Sequence, residues 1–271
     1  MKKLALATAL ALTLSTSAHA WYVTPFFDSY DTETNSNNDV TARTYGVDFG
    51  NELFSAGYKY KTIEIDHAED IDDMQTLYGF VHTGFEVSQD VQAKVLAGGS
   101  FSWQEDFDAG DCYDVLGQGS LVFDLGNGFN FEGGAGIGTN PVKTYAYPVV
   151  QLATGDPKTE GLSFKVGFPT NEATFRFNDF FALNGKVSYL GGGYTQLKKH
   201  SVYGDESYLL DKAYRASIAA QFSPSEHTTI NAGVAYTFDH YYKLYNKDGD
   251  YQGKMKLDSG AGVFVNGTAY F

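Results

Sequence analysis

From residue 41 to the last residue the chain alternates apolar and polar side chains with a period of two. No stretch beyond residue 20 approaches the roughly 18 apolar residues that a membrane-spanning helix needs. Residues 228–239 are the cleanest case. Thr228, Ile230, Ala232, Val234, Tyr236 and Phe238 fall on one face, and Asn231, Gly233, Ala235, Thr237 and Asp239 on the other. Residues 214–222 and 91–103 repeat the pattern, and a helix, with a period of 3.6, would mix the two sets. Less regular segments lie at 41–49, 53–62, 74–87, 115–125, 129–138, 161–168, 172–178 and 181–190. Pro148 leaves 144–154 ambiguous because it removes a ladder donor, and Pro25 interrupts the run Trp21 to Phe27.

The links between these runs come in two sizes. Short ones with Gly, Asn, Asp and Pro occur at 50–51, 88–90, 126–128, 155–157, 178–179 and 223–225. Longer polar ones lie between them, near 29–40, 65–73, 104–113, 196–208 and 240–253. Segregation of loop length by side is the wiring of a transmembrane antiparallel up-and-down β-barrel, and a sandwich has no reason to show it. Counting runs predicts fourteen strands, an even number that puts both chain termini on the short-turn side. Twelve is the alternative, because the link at Phe168-Pro169-Thr170-Asn171 is short where a long one is due.

The two faces predict two environments. The apolar faces end in aromatics such as Phe101, Trp103, Tyr214, Phe222, Tyr236 and Phe238, as interfacial girdles do. The opposite faces carry Asp48, Lys59, Lys61, His82, Glu86, Lys94, Glu132, Lys165, Lys186 and Arg215. Against lipid each charge would cost about 2–4 kcal/mol at mid-membrane, so these ten are expected to face the lumen. Lys2 and Lys3, the apolar run Leu4 to Leu14 and Ala18-His19-Ala20 read as a cleaved secretory signal over residues 1–20. Residues 21–271 are then expected to be a single barrel domain.

The last ten residues, Gly262-Val263-Phe264-Val265-Asn266-Gly267-Thr268-Ala269-Tyr270-Phe271, form an alternating strand ending in Phe. They resemble the assembly signal of Gram-negative outer-membrane β-barrel proteins, centred on Phe271. That resemblance implies the cell outer membrane as location, the barrel-assembly machinery as a partner during biogenesis, and lipids and lipopolysaccharide as surroundings. Residues 144–271 also resemble, more loosely, an uncharacterised family of such barrels. The match lies in Tyr147-Pro148-Val149-Val150, Gly167-Phe168-Pro169 and Gly191-Gly192-Gly193-Tyr194. That family supplies no catalytic residues.

The formal charge of −14 and the acidic runs at 64–73 and 105–114 argue against a nucleic-acid partner. Neither run has the ligand spacing of a calcium loop, and no Cys/His cluster has metal-ligand spacing, so no metal or other cofactor is expected. The single cysteine, Cys112, can form no internal disulfide. There is no Gly-x-Ser-x-Gly elbow, and His200-Ser201 on one strand would point to opposite faces. Cross-strand pairing of His82 or His240 with a distant serine stays open. The expectation is a monomeric, non-enzymatic narrow pore or structural wall component with a mixed-charge lumen. A lipid- or lipopolysaccharide-acting barrel enzyme and a surface receptor or adhesin using its acidic loops are the alternatives.

Overall fold

The computed structural model describes residues 21–34, 37–66, 71–191, 193–197 and 207–271; the proposed signal over 1–20, His67 and His200-Ser201 lie outside them. The strands are β1 (Tyr22–Glu33), β2 (Asp39–Gly50), β3 (Phe54–Ile65), β4 (Ile71–Ser88), β5 (Val91–Gln104) and β6 (Tyr113–Gly126). There follow β7 (Phe129–Thr139), β8 (Thr144–Thr154), β9 (Gly161–Phe168), β10 (Thr170–Arg176) and β11 (Phe181–Leu190). The last are β12 (Tyr194–Gln196), β13 (Tyr208–Ser225), β14 (Thr228–Tyr245), β15 (Tyr251–Lys256) and β16 (Gly260–Tyr270).

The wall is a closed antiparallel ring of fourteen strands. Each strand pairs with its sequence neighbour, β11 with β13, and β16 closes the ring on β1. β15 and β16 are two lengths of one descending strand, since both pair with β14. Fourteen rather than twelve is therefore the count, because β9 and β10 stand in the wall, joined through Pro169 alone. No helix in the described residues is long and apolar enough to cross a membrane.

Turn chemistry puts the short links on one rim. Asn127 and Gly128 both have positive φ (53° and 77°), as a two-residue hairpin with a right-handed twist requires. Asn51 and Asn178 each accept two backbone N–H bonds in their turns, and Asp124 accepts one from Gly126. Trp21 and Phe271 exchange a pair of backbone bonds at 2.9 Å on the same rim. One turn lies beyond its expected place: the β13–β14 link is Glu226-His227, and Pro224 sits within a strand at a register shift. Pro25 is tolerated because β1 skips Thr24 and Pro25 in its ladder with β16 while keeping Pro25 opposite Val47 of β2.

Several stretches read as loops are strand: β1 runs on to Glu33, β4 begins at Ile71, and the β13–β14 pair is longest of all. β14 continues to Tyr245 and β13 begins at Tyr208. The cause is a bulge: Asp239 takes a left-handed φ of 48°, and the register slips between Lys212 and Tyr214. Even-numbered residues of β14 face outward up to Phe238, and His240 and Tyr242 are then buried. One extra residue exchanges the faces.

The ring is inverted relative to a soluble protein. Val81, Ile137, Leu162, Ile218, Val234 and Val263 are each more than half exposed on the outside. The outward positions of Leu77–Val87, Val115–Leu125 and Ile230–Phe238 carry no charge. The inside changes character along the axis. Toward the long loops it is an apolar core built from Tyr30, Val40, Ile63, Ile71, Leu197, Leu209, Tyr242 and Leu257. A second cluster, Tyr194, Tyr208 and Leu210, packs with Val142 and Tyr245.

β12 explains how that end is filled. It pairs antiparallel with β13 and, through Gln196 opposite Trp103, parallel with β5. β5 and β13 are seven places apart whichever way the ring is counted. A three-residue strand can meet both only by crossing the mouth.

Candidate functional site

Beneath the apolar plug lies a layer of paired charges. Lys61 of β3 forms an ion pair with Asp211 of β13, and His240 Nε2 lies 2.9 Å from the other Asp211 oxygen. β3 and β13 are five places apart in the wall, so this pair spans the inside of the ring. The Tyr30 and Tyr242 hydroxyls meet at 3.2 Å, and the rings of both tyrosines pack edge-on against His240. Each member thus has both charge and packing partners, which offsets the desolvation of burying ions.

Below this layer Arg215 grips Asp28 with both guanidinium nitrogens, the Nη2 to Oδ1 bond being 2.6 Å, and stacks over Phe264. A cavity of about 450 Å³ opens beside it, lined among others by Asp28, Asp48, Lys59, Lys186 and Arg215. Lys59 also lies over the Tyr78 ring, 4.8 Å from its centre. A second cavity of about 500 Å³ is lined by His82, Lys94, Glu132 and Lys165 with Gln118 and Gln151. There Lys94 stands 3.7 Å from Glu132, which accepts a 2.6 Å bond from Ser120.

Of the ten charged residues picked from the sequence, eight gather in these two cavities and Lys61 sits above them. Glu86 joins neither; it pairs opposite Gln92 near the short-turn rim. Asp28, Asp211 and His240 are not among the ten, and His240 entered from the sequence only as a candidate partner of a distant serine. Asp28 lies just past the run that ended at Phe27, Asp211 just before the one that began at Tyr214, and His240 just after the bulge. Strand ends carry the weakest periodic signal, and a bulge reverses it.

One serine–histidine contact exists across strands: Ser55 Oγ lies 2.8 Å from His82 Nε2. Among the described residues no acidic group holds the other ring nitrogen, so the pair lacks the third member that fixes a general base. No group of three or more His, Cys, Asp or Glu among the described residues is arranged to hold a metal. Cys112 is buried in the β5–β6 loop, where burial, reinforced by Asp108, pushes its thiol up to about 11. That disfavours the thiolate and makes a poor nucleophile.

No family model and no curated protein matches the chain. Solved structures do. The NanC porin aligns over 93% of this chain and 100% of its own at 10% identity, with a TM-score of 0.41. An outer membrane channel from Pseudomonas putida F1 aligns over 94% and 96% at 8% identity, with a TM-score of 0.48. The outer membrane protease OmpT from Escherichia coli aligns over 94% and 98% at 9% identity, with a TM-score of 0.30. Channels and a protease both stand among these likenesses, and at this level they decide nothing about activity.

Proposed function

We propose that the chain is an outer-membrane β-barrel with a narrow polar passage, closed at its long-loop mouth in the state described. The observation that carries this reading is the inversion of the wall. The strands pair around a ring that closes on itself, an uncharged apolar belt faces out, and ion pairs join non-neighbouring strands within. In water such a belt would be a large unfavourable surface; in lipid it is the solvated one. The ten charged positions line the passage in this reading. Lipid and lipopolysaccharide surround the barrel, the assembly machinery recognises the Phe271 strand, and the barrel works as a monomer.

The plug makes the proposal specific. Refolded protein in a planar bilayer should show low conductance with rare openings. Leu197→Ser with Leu209→Ser, which places two hydroxyls in the apolar core, should raise conductance and opening frequency. Hydrolysis of phospholipid and lipid A is measured on the same samples. A folded double variant that conducts no better than the parent would sink the passage reading. Hydrolysis abolished by Ser55→Ala would replace it with an enzymatic one.

A further inference from the structure

The wall is incomplete on one side. β8 pairs with β7 over its whole length, eleven residue pairs, but with β9 over only five, Val150 to Thr154. Among the described residues, its upper six, Thr144–Val149, therefore have no strand on their second edge. The β9–β10 hairpin stops short, at eight and seven residues. A tilted strand needs about 9–11 to cross the apolar layer. Among the described residues no strand stands between the upper parts of β8 and β11, where β9 and β10 would continue, a separation of about 14 Å from three strand spacings.

The gap is roofed. Val142, in the β7–β8 link, packs with Tyr194, Tyr208 and Leu210, and Lys143 lies over the Tyr194 ring at 5.9 Å. It is a window in the wall rather than a notch in the rim. Pro148 sits on its free edge, where a residue without an N–H leaves no donor unpaired. The sill is aromatic: Phe168 lies 6.4 Å from Tyr189, which in turn lies 5.3 Å from Tyr214. On the β8 side the Tyr145 and Tyr147 rings stack, and their hydroxyls reach inward to Asp114 (2.7 Å) and Gln118 (3.2 Å). Unpaired backbone at membrane depth is tolerated only where it lines a cavity or is covered by protein.

We propose that this window is a lateral portal. It admits a lipid-dissolved amphiphile, one ring or short chain with a hydroxyl or amide head, between the outer leaflet and the barrel interior. The rim takes the apolar part, and Tyr147 with Gln118 behind it takes the head. This rests on the membrane-spanning reading and goes beyond it, because the plugged mouth blocks the axial route on the same side.

The test is quenching by phospholipids brominated on their acyl chains. Single tryptophans are placed in a Trp21→Phe, Trp103→Phe background, in vesicles, using protein that shows heat-modifiable migration. Val234→Trp, on the outer belt, reports membrane insertion. Gln118→Trp reports the space behind the window, and Thr44→Trp reports the interior lining of the ring at β2. The portal requires strong quenching at Val234→Trp and Gln118→Trp and little at Thr44→Trp. Lengthening the β9–β10 hairpin by two Thr-Val pairs should then abolish quenching at Gln118→Trp alone. Quenching at Val234→Trp with none at Gln118→Trp overturns the portal and leaves the barrel intact. No quenching at Val234→Trp overturns the membrane reading itself.

Discussion

At the scale of single residues the interior rests on paired charges. Lys61 and Asp211 are half-buried and His240 is buried, so each depends on its partner more than a surface ion does. Asp211→Ala leaves the Lys61 ammonium without its partner and should destabilise the barrel by about 1–3 kcal/mol, between the cost of breaking an exposed pair and that of breaking a buried one. Lys61→Met with Asp211→Leu removes both charges together and should recover most of that loss. Urea unfolding in detergent micelles reads both variants. A single variant as stable as the parent would mean that Lys61 is solvated and the plug is not closed. These partners were only half legible in the sequence. Lys61 stood within the less regular run 53–62, whereas Asp211 fell between the loop read at 196–208 and the strand read from 214, so the pair could not be assembled before the strands were.

At the scale of elements, most wall strands were legible because a strand between lipid and a polar interior must alternate at every step. The strand tops were not. There both faces of β13 are covered by protein, Leu209 on one side and Tyr208 and Leu210 on the other. Alternation then has no physical cause, and the residues read as irregular. β12 was invisible because three residues, of which Gln196 pairs on both edges, are too few to carry a periodic signature. The Asp239 bulge is the element on which the plug depends, because it turns His240 and Tyr242 inward. Asp239→Val puts a β-branched side chain at a left-handed φ and should cost about 1–2 kcal/mol. Asp239→Gly should be close to neutral. Thermal unfolding followed by gel migration separates the two. Equal midpoints would show that the left-handed turn is not held in solution.

At the scale of the whole molecule, what makes this a membrane protein is the direction of the wall, apolar outward and charged inward. Stability measurements cannot decide it, because Val234→Arg would also damage a protein core. Accessibility can. Cysteines are introduced singly at Ile230, Ala232 and Val234, and at Asn231 and Thr237, in a Cys112→Ser background, on the two faces of β14. Labelled with a fluorophore in vesicles, the even-numbered positions should be quenched by lipid-borne nitroxides and resist water-soluble maleimides. The odd-numbered positions should escape lipid quenching. If Ile230, Ala232 and Val234 show no lipid quenching in correctly folded protein, they face protein, and the chain is not a membrane barrel.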